Sequence, residues 1–419
     1  MTAYGFQPFL RQENSGKEFA IPEITDGFLA PGESDAAGDA PEITAAVEGM
    51  VPVSFMTEEL PRGTYRVQIT LRALDDVEQL RVFAGRKQLR AVVSLKKGEE
   101  YRAVYYQHLC EIIPRWHTEE WTAKRLFVSY AARNSESISM EECSAAPAEN
   151  VPVVWLCGDS TVTDQAGELP YNSGACYASW GQALPAFLDG TAVENQAHCG
   201  LTTESFREEG HFDIVMRHIR KGDFCLFQFG HNDQKLPHLM ADTGYYRNLV
   251  RFVDEVRQTG AQPVLVTPLG RNIWKKDGSY NDLLSEYAKT VVHVAKEKKV
   301  PCIDLHGASV CFLNRLGMAD ARGYFHPGDY THTNEYGAYR AAAYIAEELA
   351  RLFPDIFPLG ITGTQSVEKF IPEPGLWEKL SGKGPDQDTS TQRELFDKEE
   401  KDARALLAAI ESAKEAARR

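Results

Sequence analysis

The sequence has no Cys-x-x-Cys pair and no Cys/His spacing of the kind that holds zinc. Its eight cysteines stand apart at 110, 143, 157, 176, 199, 225, 302 and 311, which points to reduced, mostly buried small apolar residues rather than to disulfides. Positive charge is in deficit: 45 Lys and Arg against 60 Asp and Glu leave a net charge of -15. Phosphate backbones would be repelled and no basic patch offers itself to a membrane surface, so neither nucleic acid nor membrane is an expected partner. No run approaches the ~20 apolar residues of a membrane span. The opening Met1-Thr2-Ala3-Tyr4-Gly5-Phe6-Gln7 lacks the basic and apolar regions of a secretion leader. These absences set the expectation of a soluble, cytoplasmic chain. No internal repeat is evident.

What is present divides in three. At 419 residues the chain exceeds the usual size of one domain, and its pattern changes partway. Residues 1–149 read as a β-rich domain. The stretch 65–71 alternates apolar and polar side chains, and 80–83, 89–93 and 126–130 are similar short runs, separated by turn signals at Pro61-Arg62-Gly63 and Lys97-Gly98. Short strands without intervening helices predict a small antiparallel sandwich. Its aromatic residues, among them Tyr101, Tyr105, Tyr106, Trp116 and Trp121, are of a kind that fills cores and also stacks on sugar rings. The polar stretch 134–150 reads as a linker.

From 150 to 356 strand and helix patterns alternate. Apolar runs at 153–156, 225–229, 263–267 and 300–305 are interleaved with helical spacing over 243–259 and 336–352, which predicts a largely parallel sheet covered on both faces. Residues 357–419 form a C-terminal extension. Within it 382–386 reads as a connector, and Thr391 with Glu394 as a capping box for a last helix whose apolar stripe is Phe396, Ala403, Leu406, Leu407 and Ile410. That stripe needs a cover, either this chain or a partner subunit in a homo-oligomer.

Chemistry concentrates where the strand at 153–156 runs into Gly158-Asp159-Ser160-Thr161. Gly158 lets the chain turn so that Ser160 emerges at the strand's end, which is where α/β sheets place reactive groups. A serine hydroxyl needs a base and, for acyl transfer, donors for an oxyanion. Asp329 and His332, three residues apart, can face the same way, with the carboxylate holding one imidazole nitrogen while the other takes the serine proton; His326 is the competing histidine. Asn232, in Gly230-His231-Asn232-Asp233 after an apolar strand, and the backbone amide of Gly200 are candidate donors beside Ser160's own amide. Lys235 and Arg271 are candidates for holding an acidic sugar.

Gly158-Asp159-Ser160, then Gly200, then Gly230-His231-Asn232-Asp233, then Asp329-x-x-His332 resembles the four-block signature of the SGNH hydrolases. More narrowly, Gly158-Asp159-Ser160-Thr161-Val162-Thr163, Ser179-Trp180-Gly181-Gln182, Gln228-Phe229-Gly230-His231-Asn232-Asp233-Gln234-Lys235 and Thr331-His332-Thr333-Asn334-Glu335-Tyr336-Gly337-Ala338 resemble the rhamnogalacturonan acetylesterase branch, over residues 151–353. The region 60–67 more loosely resembles the β-sandwich that precedes the hydrolase in some bacterial members. The resemblance implies a flavodoxin-like α/β hydrolase domain over 150–356, preceded by an all-β, galactose-binding-like sandwich over 1–149 and followed by a helical segment over 357–419.

It further implies Ser160 as nucleophile, His332 as base and then acid, Asp329 as its orienting partner, and Ser160, Gly200 and Asn232 as oxyanion donors, with neither a metal nor an organic cofactor. Asp159, Thr161, Trp180 and His231 would brace the nucleophile turn or touch substrate. The implied reaction is removal of acetyl groups from pectin-derived oligosaccharides. Acetylated xylan fragments are the alternative substrate, and a lipase-like esterase of the same fold, a carbohydrate-binding protein with a vestigial site and an assembly scaffold are the alternative functions.

Overall fold

Apolar residues on both sides of one strand dictate the middle of the molecule. In the computed structural model, which describes residues 3–10, 18–29, 49–115, 117–275, 277–358, 366–376 and 389–418, the strand Val153–Gly158 is buried throughout. Side chains are described in the last stretch only from Lys401 onward, without 402 and 403. Val154 and Leu156 enter one core, and Val153, Trp155 and Cys157 enter the other. Period-two alternation requires this split when helices cover both faces of a sheet. The next two strands divide in the same way: Phe224 and Leu226 face Val264 and Val266 on one side, while Cys225, Phe227 and Leu265 fill the other. Amphipathic helices Tyr246–Gln258 and Ser285–Lys298 close the second core, and Leu305–Ala321 and Glu335–Leu352 close the first.

The strands in chain order are β1 (Tyr4–Gly5), β2 (Gln7–Pro8), β3 (Val53–Met56), β4 (Gly63–Ala73), β5 (Val77–Ala84), β6 (Gln88–Leu95), β7 (Glu100–Leu109), β8 (Glu111–Ile112), β9 (Trp121–Thr122), β10 (Phe127–Ala131), β11 (Ile138–Pro147), β12 (Val153–Gly158), β13 (Ala192–Asn195), β14 (Phe224–Gln228), β15 (Gln262–Val266) and β16 (Cys302–Ile303). The parallel part runs β13-β12-β14-β15-β16. This is the 2-1-3-4-5 order of flavodoxin-like sheets, in which ligands sit outside the carboxyl ends of the strands at the point where the order reverses. Here that point lies between β12 and β14.

The N-terminal strands form two antiparallel sheets, β1-β11-β4-β7 and β2-β3-β10-β5-β6, packed over a core that includes Val67, Ile69, Leu71, Leu80, Val82 and Val128. The first sheet does not end at β7. Tyr106 pairs in parallel with Ala192 of β13, so that sandwich and hydrolase share one nine-stranded sheet. Charge locks the same junction. Arg86 reaches Asp164 at 2.8 Å and Glu194 at 3.1 Å, and Arg81 donates to Ser173 at 3.0 Å, all in buried surroundings. Trp116 lies outside the described residues.

The stretch 134–150 is not a linker. Most of it is β11, paired along β4 from Ile138 to Pro147. A bulge between Met140 and Glu142 interrupts the alternation that would have announced a strand.

The C-terminal helix Thr389–Arg418 folds back on its own chain. Leu406 and Ile410 bury against Ile273 beside Leu283 and Tyr330, and Lys414 pairs with Glu286 at 2.8 Å. The connector at 382–386 and the side chains of Thr391, Glu394, Phe396 and Ala403 lie outside what is described. All eight cysteines are free thiols; Cys157 and Cys225 sit 3.5 Å apart on neighbouring strands, and burial pushes the Cys157 thiol well up. Among the described residues no helix is long and apolar enough to cross a membrane.

Candidate active site

Three parallel strands deliver the site. β12 ends at Gly158, and a Cβ built there would fall 2.5 Å from Val162 Cγ2 and 2.7 Å from the Gln228 carbonyl. The glycine is therefore needed for space, because the turn folds back against both its own strand end and β14. Asp159, fully buried, then organises the turn. Its Oδ1 accepts from the Thr161 amide at 2.9 Å and the Thr161 hydroxyl at 2.8 Å, and its main-chain carbonyl accepts from the amides of Val162 and Thr163. Ser160 is left at the strand's end with its carbonyl held by Gln165 Nε2 at 2.7 Å.

Ser160 Oγ lies 2.7 Å from His332 Nε2. On the other side of the ring, Nδ1 lies 2.7 Å from Asp329 Oδ2. Asp329 Oδ1 accepts from the amides of Thr331 at 2.6 Å and His332 at 2.9 Å, so one carboxylate fixes both the loop and the ring. Burial opposes ionisation of Asp329, but the His332 ring and the two amides outweigh it and hold the carboxyl well below the usual range. An ionised Asp329 makes Nδ1 the donor nitrogen and leaves Nε2 free to accept the serine proton.

His326, the competing histidine, is elsewhere. It is buried, with Nδ1 at 3.1 Å from the Pro327 carbonyl and its ring stacked on Tyr177 at 3.6 Å, and burial pushes it down to about 4. The 325–333 loop is closed by a bridge between Phe325 and Thr333, and Asn334 anchors its end. The Asn334 side chain accepts from the Gly337 amide, capping helix Glu335–Leu352, and donates to the carbonyls of Gly323 and Phe325.

The donor side comes from the loops after β13 and β14. Gly200 has φ +82°, a region that favours glycine, and nothing lies within 4 Å of where its Cβ would be. Among the described residues neither the Gly200 nor the Ser160 amide has a hydrogen-bond partner. Asn232 is clamped from two sides: Nδ2 donates to the Leu201 carbonyl at 3.0 Å, and Oδ1 accepts from Lys235 Nζ at 3.0 Å. One amide hydrogen remains uncommitted.

The four residues assigned to bracing or substrate contact form one buried chain. Trp180 Nε1 donates to Gln228 Oε1 at 2.9 Å, Gln228 Nε2 to Thr161 Oγ1 at 2.6 Å, and Asp159 Oδ2 lies 3.2 Å from His231 Nδ1, whose other nitrogen faces the Leu269 carbonyl at 2.9 Å. Trp180 and Asp159 have no exposed surface, Thr161 2% and His231 1%, so the chain lies beneath the nucleophile turn, out of reach of solvent. Arg271 is not a surface cation either. It is buried and donates to the His231 carbonyl at 2.9 Å and to the Thr331 hydroxyl, tying the β14 loop to the His332 loop. Lys235 is exposed, but its ammonium serves Asn232.

Sequence reasoning missed Tyr177, whose ring meets the edge of His332 at 5.7 Å and 90°, and it missed the roles of Gln165, Gln228 and Asn334. For Gln228 and Asn334 a signal was present, since both stand inside the quoted motif blocks. Tyr177 offered none, because a loop aromatic 155 positions from His332 has no local pattern.

Fold, switch point and the Ser160–His332–Asp329 alignment define an α/β ester hydrolase of the SGNH type. A family model described as the GDSL-like lipase/acylhydrolase family matches residues 156–334. The rhamnogalacturonan acetylesterase RhgT of Bacillus subtilis (strain 168) is 36% identical over 213 residues, covering 48% of this chain and 90% of that protein. The probable rhamnogalacturonan acetylesterase YesY of the same organism is 29% identical over 225 residues, covering 52% and 97%. Among solved structures, the crystal structure of the B. subtilis protein YxiM aligns over 73% of this chain and 82% of its own, at 24% identity and a TM-score of 0.47. The chain belongs to the GDSL-like lipase/acylhydrolase family.

Proposed function

We propose that this protein is a carbohydrate acetylesterase that deacetylates rhamnogalacturonan-type, pectin-derived oligosaccharides through an acyl-enzyme on Ser160. The observation that carries the reading is the pair of 2.7 Å contacts that runs from Ser160 Oγ through both nitrogens of His332 to Asp329. The likeness to relatives that bear the name rhamnogalacturonan acetylesterase supports the substrate class.

In the proposed reaction Ser160 Oγ attacks the acetyl carbonyl carbon as its proton passes to His332 Nε2. The negative oxygen of the tetrahedral intermediate is held by the Ser160 and Gly200 amides and the Asn232 side chain. The bond to the sugar oxygen then breaks, His332 returns the proton to that oxygen, and the deacetylated saccharide leaves. Water attacks acetyl-Ser160 with His332 again as base, acetate departs, and the proton goes back to Ser160. Asp329 stays ionised throughout and stabilises the imidazolium.

The test is acetate release from acetylated pectin fragments and from acetylated xylan fragments by the wild type and Ser160→Ala. The expected result is release from the pectin set that disappears in the variant. A preference for the xylan set would move the substrate and keep the chemistry; equal inertness of both proteins would remove the esterase reading.

A further inference from the structure

A groove of about 990 Å³ opens between the sandwich and the hydrolase, away from Ser160. Its walls include Arg90 on β6, Tyr101, Tyr105 and Tyr106 on β7, and Phe187 in the short turn Leu184–Phe187 that covers β6. Asp189 lies at its lip just ahead of β13, and Asp355 just beyond helix Glu335–Leu352. Its floor therefore lies at the amino ends of the parallel strands, whereas Ser160, Gly200 and Asn232 follow their carboxyl ends. The six residues of β12 put about 20 Å between the two.

Arg90 is the anomaly there. It is only 9% exposed, its guanidinium lies 4.5 Å over the Tyr105 ring, and among the described residues it makes no hydrogen bond and no ion pair. Every other arginine that is as deeply buried here, Arg81 and Arg271, is spent on acceptors of the protein. Of the other charges on the groove, Glu100 is paired with Arg102 and Arg72, and Asp189 and Asp355 are exposed to water; the buried Arg90 charge is screened far less than these. A planar fork with free donors suits a carboxylate, and the half-buried Tyr106 on the groove wall is of a kind that packs on a pyranose, whereas Tyr101 and Tyr105 are buried and serve to hold Arg90.

We propose that this groove is a second saccharide site, specific for uronate-bearing oligosaccharides, in which Arg90 pairs with a sugar carboxylate. The choice of sugar rests on the pectin reading above. The site does not reach the reacting ester. It holds one part of an acidic chain while another part presents its acetyl group to Ser160, raising the local concentration of substrate.

The experiment is calorimetric titration of the full chain with de-esterified oligogalacturonate, and with a neutral xylo-oligosaccharide as control. Wild type is compared with Arg90→Gln and with Val104→Glu, which adds a carboxylate at a 41% exposed position on the groove wall. Hydrolysis of an aryl acetate reports an intact fold and Ser160 site. The expected result is uronate binding that weakens at least about tenfold in both variants with unchanged aryl acetate turnover, and no comparable binding of the neutral chain. Unchanged affinity in either active variant, equal binding of the neutral chain, or no uronate binding by wild type overturns the proposal; should Arg90→Gln fail to fold, Val104→Glu decides alone. Failure of acetate release from pectin would sink the substrate reading and leave this binding result standing.

Discussion

Replacing Asn232 with alanine should lower kcat by about 10² to 10³ while leaving KM nearly unchanged. The side chain is aimed before substrate arrives, with Nδ2 on the Leu201 carbonyl and Oδ1 on Lys235, both at 3.0 Å, so its second amide hydrogen costs no reorganisation when charge develops. Charge is concentrated on the ester oxygen only in the transition state, which is why the loss falls on kcat. At 1.36 kcal/mol per decade, the expected change is about 2.7 to 4 kcal/mol of barrier. Stability changes by a separate and smaller amount: the Leu201 carbonyl loses one partner, which costs about 1 kcal/mol. Steady-state kinetics on an aryl acetate, paired with urea unfolding, separates the two. Asn232→Asp sharpens the test, because a nearly isosteric carboxylate donates nothing and repels the oxyanion, so its kcat should fall at least as far. A kcat within fivefold of wild type in Asn232→Ala, or a rise in KM alone, would refute the oxyanion assignment.

Asp329→Asn should reduce kcat on the order of 10⁴-fold by leaving His332 in the wrong tautomer. Because the Asp329 carboxyl is held below its ordinary 3.8, its stabilising contribution is present above that pH and fades as pH falls toward the folded value; the stability gap between wild type and variant should therefore be constant near neutrality and shrink below about pH 4 in urea titrations. Ile410→Asp should detach the C-terminal helix, since the new carboxylate would sit unpaired against Ile273, Leu283 and Tyr330. Limited proteolysis should then cut within 389–418 well before the wild type is cut, and equal rates would show that this contact does not hold the helix.

Legibility in the sequence followed the range of the interactions concerned. The strands at 153–156, 225–229 and 263–267 were readable because burial on both faces leaves an apolar run, and helix Glu335–Leu352 because its alanines recur at helical spacing. β11 was not, since its bulge and its exposed Glu141-Glu142 pair look like loop composition. Arg271 is a candidate for an acidic sugar on sequence alone, because nothing local says that the His231 carbonyl and the Thr331 hydroxyl will surround it. Gly158 is the last residue of β12 and the turn begins after it; the reason a glycine is needed there, the approach of Val162 and the Gln228 carbonyl, is a tertiary one.

The sequence by itself determined the kinds of groups available: a serine after a buried strand, an Asp-x-x-His segment, an asparagine and a glycine in loops that follow further strands. It also determined the parallel, two-faced sheet, because periodicity and burial are local consequences of side-chain chemistry. Tertiary structure alone decided that Ser160 meets His332 across 172 positions at 2.7 Å, that His326 turns away to stack on Tyr177, and that the sandwich merges with the hydrolase through Tyr106 and Ala192. It also decided that Arg90 is buried over the Tyr105 ring, with no hydrogen bond or ion pair among the described residues. The physical reason is the same in each case: such contacts depend on how separate elements pack against one another, and no pattern within a single element encodes which distant residue will stand opposite.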